Sequence, residues 1–320
     1  MASTESFRYY EGDGKNIKER GQDAPSYQQL IGRDDPAGYV AEPGLRDAVN
    51  VALVLGQPLL VTGEPGTGKT QLAGSIAYEL GLARPFVFRT KTTSSAKDLF
   101  YRYDALRQFH DANVIKKNPE ELNVEDYINY EALGLAILHA QKNNSSAQRS
   151  VVLIDEVDKA PRDFPNDILN EIEEFSFTVA ETRKSFAADE HYRPIVLLTS
   201  NSEKNLPDAF LRRCVFYNIP APNRAQLMRI VKNRLKLSEE FSPFVDRLIE
   251  HFEDIRNLAL KKKPATAELL AWLAVLNKMH MNNESLGPGK TEALAFTYSI
   301  LAKNKEDSEL MLTLLPKLRL

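Results

Sequence analysis

The chain has 320 residues with 43% hydrophobic and 27% charged side chains, a balance that excludes a disordered or fibrous protein and leaves room for one large domain or two unequal ones. Lys plus Arg number 41 and Asp plus Glu 44, so a net charge of −3 excludes any general attraction to nucleic acid, and a polyanion site would have to be local. The single cysteine, Cys214, excludes an intrachain disulfide framework and fits a reducing compartment.

In chain order, residues 1–35 are rich in Gly, Asp, Ser and Pro without periodicity and are expected to form an N-terminal arm. The opening MASTESFRYYEGDGK is polar throughout, and no apolar run approaches the length of a membrane span, so the cytoplasm is the expected location. From Leu45, RDAVNVALVLG predicts a helix that turns Val49, Ala52, Leu53 and Gly56 to one buried face. PLLVTG follows, and four more short apolar runs come after it: Phe86–Arg89, Val151–Ile154, Ile195–Thr199 and Val215–Ile219. Runs apolar at successive positions suit strands covered on both faces. Helical stretches lie between them, including QLAGSIAYEL and DILNEIEEF, in which Ile168, Leu169, Ile172 and Phe175 share a face. Alternating strand and helix predicts a parallel α/β sheet over residues 36–220. After Pro220 and Pro222 the strand signal stops. NRAQLMRIVKNRL, PFVDRLIEHF, TAELLAWLAVLNKMH, EALAFTYSILAK and SELMLTLL predict a second, all-helical unit over residues 221–320, with Thr266 as the N-cap of the TAELLAWLAVLNKMH helix.

The residues between the first strand and its helix carry the sharpest chemical signal. Gly63, Gly66, Gly68, Lys69 and Thr70 fill every position of the G-x-x-x-x-G-K-[ST] phosphate loop, between a strand and a helix as the motif requires. The whole stretch Gly63, Glu64, Pro65, Gly66, Thr67, Gly68, Lys69, Thr70 and Gln71 is therefore the candidate cradle for a nucleotide phosphate. Lys69 is expected to reach the β- and γ-phosphates, and the Thr70 hydroxyl to ligate Mg²⁺. A second GKT, in LGPGKT at 286–291, has Glu284 where the leading Gly is required and no strand before it, so it reads as a loop and helix start. VVLIDEVDKA places two carboxylates at a strand end: Asp155 for the Mg²⁺ shell and Glu156 to polarise an attacking water. This pair points to hydrolysis by water and away from a kinase or a small GTPase. Asn201, after IVLLTS, faces the same crevice and is the candidate for positioning that water. Arg212 and Arg213, before the last strand, are poorly explained by packing and suit a finger offered to a neighbour's γ-phosphate.

Taken together, the phosphate loop, the Asp-Glu pair, the Asn-terminated strand, the arginine pair and the helical second unit resemble an AAA+ ATPase. YVAEPGLRDAVNVALVLGQPLLVTGEPGTGKTQLA, KDLFYRYDALRQF, KKPATAELLAWL and SILAKNKED narrow the resemblance to the MoxR family, from about Tyr39 to near the C-terminus. It implies a P-loop parallel sheet of order 5-1-4-3-2, an all-α lid domain, ATP and Mg²⁺ as ligands, and a homo-oligomer, usually a hexameric ring with ATP between subunits. It also implies a chaperone-like remodelling role, often with a von Willebrand factor A domain partner. By the resemblance Arg213 is the first choice of finger and Arg212 the second, and Tyr39 and Val40 line the adenine pocket. KDLFYRYDALRQFHD becomes the helix-two insert, and FSFTVAETRKSF the hairpin before the sensor strand. KKKPATAELL departs from the family in lacking a sensor-two arginine, which leaves Lys262 and Lys263 as its candidate replacements. Two other classes stay open: a nucleic-acid-directed NTPase, disfavoured by the charge, and a nucleotide-gated scaffold with little turnover.

Overall fold

The computed structural model describes residues 35–115, 122–141, 147–202, 206–239, 241–279 and 292–314. Residues 1–34 of the expected arm and the LGPGKT stretch lie outside these. The chain divides into two compact units, Ala41–Pro220 on one hand and the described residues of Met1–Val40 with Ala221–Leu320 on the other.

In the first unit, α1 (Pro43–Leu55) leads into β1 (Leu59–Gly63), α2 (Lys69–Glu79) and β2 (Phe86–Arg89). There follow β3 (Tyr101–Tyr103), α3 (Ala105–Asn113), β4 (Ile128–Tyr130) and α4 (Ala132–His139). Next are β5 (Val151–Asp155), α5 (Phe164–Glu174), β6 (Ser176–Val179), β7 (Lys184–Ala187), β8 (Ile195–Thr199), α6 (Asp208–Leu211) and β9 (Val215–Ile219). Five strands make one parallel sheet in the order β2-β5-β8-β1-β9, which is the 5-1-4-3-2 order expected, read from its other edge. The successive apolar runs explain it: β1 and β5 are buried along their whole length, as strands covered on both faces must be. The edge strands β2 and β9 alternate instead, leaving Val87 44% and Phe216 45% exposed. Helices α1, α2 and α4 pack on this sheet. In α5 and its C-cap Phe175, the side chains of Ile168, Leu169, Ile172 and Phe175 are each 3% exposed or less, a face whose burial contributes about 1.5–3 kcal/mol per side chain.

The face expected for α1 needs correction. Leu45 and Ala52 carry its burial, while Gly56 lies exposed beyond the helix in a left-handed conformation that closes its C-terminus. KDLFYRYDALRQFHD forms a short 3₁₀ turn, β3 and α3, and FSFTVAETRKSF forms the β6–β7 hairpin. The ring of Phe177 joins the two, stacking on Phe100 at 5.0 Å and meeting Phe186 at 5.2 Å. Ala180 N–H donates to the Tyr101 hydroxyl at 2.9 Å. Insert and hairpin therefore share one aromatic cluster.

The second unit holds α7 (Arg224–Arg234), α8 (Val245–Asn257), α9 (Thr266–Lys278), α10 (Glu292–Ala295) and α11 (Lys305–Leu312), with no strand among its described residues. Asn223 caps α7 in a reciprocal box with Gln226. The cap of α9 falls one residue earlier than expected: Ala265 is extended, Glu268 accepts its N–H at 3.1 Å, and Thr266 is the first helical residue. EALAFTYSILAK is likewise not one helix but the single turn of α10 followed by a 3₁₀ turn over Phe296–Ser299. The cause is Thr297, whose hydroxyl donates to Leu294 O at 2.7 Å and accepts from Trp272 Nε1 at 2.8 Å, so that it competes with regular helical bonding. The core of this unit is Leu227, Val231, Leu248, Phe252, Trp272, Leu273 and Tyr298.

Candidate nucleotide site

The parallel register brings the carboxyl ends of β1, β5 and β8 together, with Val61 beside Thr199 and Ile154 beside Leu198. β1 ends at Gly63, whose φ of 142° is open to glycine, and a Cβ there would lie 2.7 Å from Ile219 O. Gly68 precedes α2 with φ 90°, so it delivers the chain into the first helical turn from a left-handed conformation. Among the described residues, the amides of Gly66, Gly68, Lys69 and Thr70 donate to no protein acceptor. A loop that presents amides at a helix N-terminus favours an anion.

Lys69 is 7% exposed. Its ammonium donates to Gly63 O at 2.7 Å, Glu64 O at 3.0 Å and Asn201 Oδ1 at 3.1 Å, which uses all three of its donors. Burial holds its pKa below the ordinary lysine value, against the pull of Asp158, Asp155 and Glu156. Asp155 is buried and accepts from Thr199 Oγ1 at 2.6 Å and from Thr70 Oγ1 at 3.1 Å. The same Thr199 hydroxyl accepts the N–H of Glu156 at 2.9 Å. Glu156 adopts φ 60° and ψ 52°, a left-handed conformation costly for a residue with a side chain. Its carboxylate takes the ammonium of Lys159. Asn201 N–H reaches Asp158 Oδ1 at 3.3 Å. Thus the structure gathers the phosphate loop, Thr70, Asp155, Glu156 and Asn201 into one network.

Three members of that network have no role in the sequence reading: Thr199, Asp158 and Lys159. Thr199 had a signal, since a polar residue ending a buried strand beside an acidic one sits in hydrogen-bonding reach once the strands are paired in parallel. Lys159 and Asp158 had only their positions, three and two residues after Glu156 in a 3₁₀ turn.

The remaining candidates lie elsewhere. Arg213 is 48% exposed at its side chain and pairs with Glu173 of α5 at 3.5 Å, and Arg212 is exposed beside it. Cys214, next in the chain, is buried, which pushes its thiol up to about 12 and removes it as a nucleophile at neutral pH. Tyr39 and Val40 are half-buried and belong to the second unit, following a short turn at Pro36–Gly38. Lys262 and Lys263 are exposed in that unit, and the amides of Lys261 and Lys262 are held by Asp307 at 2.8 and 3.0 Å.

The donors at Thr70 and Asp155 suit Mg²⁺, a hard cation that prefers oxygen. No group of three or more His, Cys, Asp or Glu side chains that could cage a metal occurs among the described residues. A cation here would draw its other ligands from phosphate oxygens and water, as Mg²⁺ commonly does. No described helix is long and apolar enough to cross a membrane.

Residues 59–220, from the first residue of β1 to the end of the first unit, match the family model described as ATPase family associated with various cellular activities (AAA), a span of just over half the chain. No curated protein matches the chain.

Proposed function

The chain belongs to the ATPase family associated with various cellular activities (AAA), and from that premise we propose that it is a MoxR-like ring ATPase that hydrolyses ATP to remodel a protein client. The observation that carries the reading is the bond from buried Lys69 to Asn201, together with Thr70 and Thr199 converging on Asp155. These link the phosphate loop to the residues assigned to the metal and the water.

In this mechanism the loop amides from Gly66 to Thr70 and the Lys69 ammonium bind the β- and γ-phosphates. Thr70 and Asp155 would hold Mg²⁺, which when bound would neutralise charge on the phosphate oxygens. Thr199 fixes Asp155 with its hydroxyl and, by accepting the Glu156 N–H, sets where the Glu156 side chain starts. Glu156 takes a proton from water as the water oxygen bonds to the γ-phosphorus and the bond to the β–γ bridging oxygen breaks, releasing ADP and phosphate. Asn201 orients that water. Arg213, with Arg212 as the alternative, leaves Glu173 and stabilises the γ-phosphate of a neighbouring subunit. Tyr39 and Val40 hold the adenine. The assembly is a hexameric ring that acts as a chaperone, with a von Willebrand factor A domain protein as its partner, and it does not act on nucleic acid.

The test is a mixing experiment. Glu156→Gln and Arg213→Ala are each expected to lose most ATP turnover, since a finger contributes on the order of 10³ to 10⁵ in rate. Mixed subunits recover part of it, because some interfaces then pair an intact base with an intact finger. Failure of every mixture, with both variants binding ATP and assembling, removes the finger from the reading. One feature favours a second reading, a nucleotide-gated scaffold with little turnover: KKKPATAELL lacks the sensor-two arginine that the resemblance implies, with Lys262 and Lys263 as its candidate replacements. Steady turnover by the unaltered chain excludes it.

A further inference from the structure

At the amino ends of β1 and β8, away from Lys69 and Asp155, the first unit forms a cleft of about 250 Å³ lined by the last turn of α1, the link into β1 and the start of β8. Two half-buried arginines, Arg149 and Arg193, and one exposed carboxylate, Glu190, stand in its wall. The Arg193 guanidinium lies 4.9 Å from the centre of the Phe175 ring and donates through Nη2 to Glu173 O, while Arg149 Nη2 reaches His191 O at 3.5 Å. Both use backbone oxygens, and among the described residues neither pairs with a carboxylate, Glu190 included. A guanidinium has five donors and is rarely withdrawn from water without an anion beside it, so the cleft keeps capacity for one. Phe175 is also held in a left-handed conformation, φ 45° and ψ 43°, that is costly for a residue with a side chain, yet it is buried and turns its ring to Arg193. The remaining wall is aliphatic. Ile195, Val54 and Leu55 line it, and the last two stay 86% and 59% exposed.

We propose that this cleft anchors a protein partner through a carboxylate set beside an aliphatic side chain. Size decides against a free small molecule, since sites for those enclose about 300–1,000 Å³, and a smaller cleft whose apolar rim stays exposed suits one anchor residue of a larger partner. Charge decides for an anion. Two guanidiniums outweigh Glu190, and their planar forks take a carboxylate through paired bonds. Arginine takes phosphate as well, but Val54, Leu55 and Ile195 offer nothing to a phosphate backbone, whereas an aliphatic side chain next to the carboxylate covers them. An arginine stacked on an aromatic ring beside aliphatic surface is also the composition of interface hot spots. Because the candidate nucleotide residues gather at the carboxyl ends of the same strands, partner binding and ATP turnover are separable.

The experiment titrates the full chain against a short dye-labelled peptide of alternating Leu and Asp, read by fluorescence anisotropy, with alternating Leu and Asn as the uncharged counterpart. The acidic peptide is expected to bind, and the uncharged one to bind at least about tenfold more weakly, the scale of a hydrogen bond to a charged group. Arg149→Gln and Leu55→Ser each weaken the acidic peptide by about tenfold and leave ATP turnover, melting temperature and oligomeric state unchanged. Lys305→Gln, which removes an exposed cation in the other unit, leaves binding unchanged and so separates the cleft from general charge attraction. No binding of the acidic peptide, equal affinity for the two peptides, or equal affinity of the unaltered chain and Arg149→Gln overturns the site. Preference for a single-stranded oligonucleotide, lost in Arg149→Gln, gives the arginines to phosphate and overturns it too. A change of sedimentation in Arg149→Gln and Leu55→Ser means that a second copy fills the cleft, and the separate partner is then withdrawn. Each of these outcomes leaves the nucleotide site to its own test.

Discussion

In the sheet unit the buried polar side chains Thr62, Lys69, Asp155, Thr199 and Ser200 gather where β1, β5 and β8 end. In the helical unit His251, Thr297 and Tyr298 are buried around Trp272 in the middle of an apolar core, and Asp307 is buried at the start of α11. Beside the first group, among the described residues, the loop amides of Gly66, Gly68, Lys69 and Thr70 have no protein acceptor, while its charged members Lys69 and Asp155 bond Asn201 and Thr70 at one spot. The second group spends its bonds internally: His251 meets the Tyr298 hydroxyl, Trp272 donates to Thr297, and Asp307 takes two backbone amides and the Asn304 amide. Similar degrees of burial therefore serve different ends. Open loop amides beside a bonded polar network suit a ligand site, whereas closed polar knots select one packing of an otherwise interchangeable apolar core.

The comparison breaks most visibly at Lys69. Lys69→Ala is expected to weaken ATP binding by about 10²-fold or more, the scale of two charge-assisted hydrogen bonds of ~1.5–3 kcal/mol each. Its melting temperature should change little, because the removed group is a buried cation whose desolvation already costs stability. Equilibrium binding with a thermal melt checks both halves, and normal ATP affinity would refute the loop assignment.

A smaller effect is expected from His251. Burial lowers its pKa from 6.5 to about 4. Between those values the unfolded chain binds more protons than the folded one, so stability is full above pH 6.5 and falls as the pH drops toward 4, by about 3 kcal/mol across the window. Denaturation followed by the fluorescence of Trp272, the chain's one tryptophan, reads this unit alone. His251→Gln should flatten the pH dependence in that window, and an unchanged slope would mean that another group sets it.

The smallest effect belongs to Asp307. Burial pushes its carboxyl up, but the Lys261 and Lys262 amides and Asn304 hold it below the ordinary range, so its stabilisation is present at neutral pH and is lost as the pH falls through that lowered value. Asp307→Ala is expected to lower the melting temperature modestly and to leave ATP affinity alone. A change in affinity would join a closed knot to the ligand and sharpen the case for Lys262 or Lys263 as a nucleotide contact.

Much of this was legible in one dimension. The five sheet strands, the α5 face of Ile168, Leu169, Ile172 and Phe175, and the change to an all-helical unit after Pro220 follow from periodicity and from where glycine and proline stand, which are local properties. The misreadings are also local in origin. Gly56 matched a helical period but served as a terminator, and Thr297 broke a helix through a hydroxyl whose partner, Trp272, is 25 residues away.

By itself the sequence determined the phosphate loop, the acidic pair and the runs that become the sheet strands, because a glycine that must take positive φ, a carboxylate at a strand end and a buried apolar run are each dictated by neighbours in the chain; the strand order was only what the family resemblance implied. Only the tertiary structure decided the wiring. Lys69 meets Asn201 across 132 residues, Thr70 meets Asp155 across 85 and Thr199 meets Asp155 across 44. Those pairings come from parallel register, in which one step along a strand moves a hydroxyl to the opposite face of the sheet. The contact of Lys159 with Glu156 depends in the same way on a left-handed turn that composition does not announce, and on a threonine from the neighbouring strand that holds it.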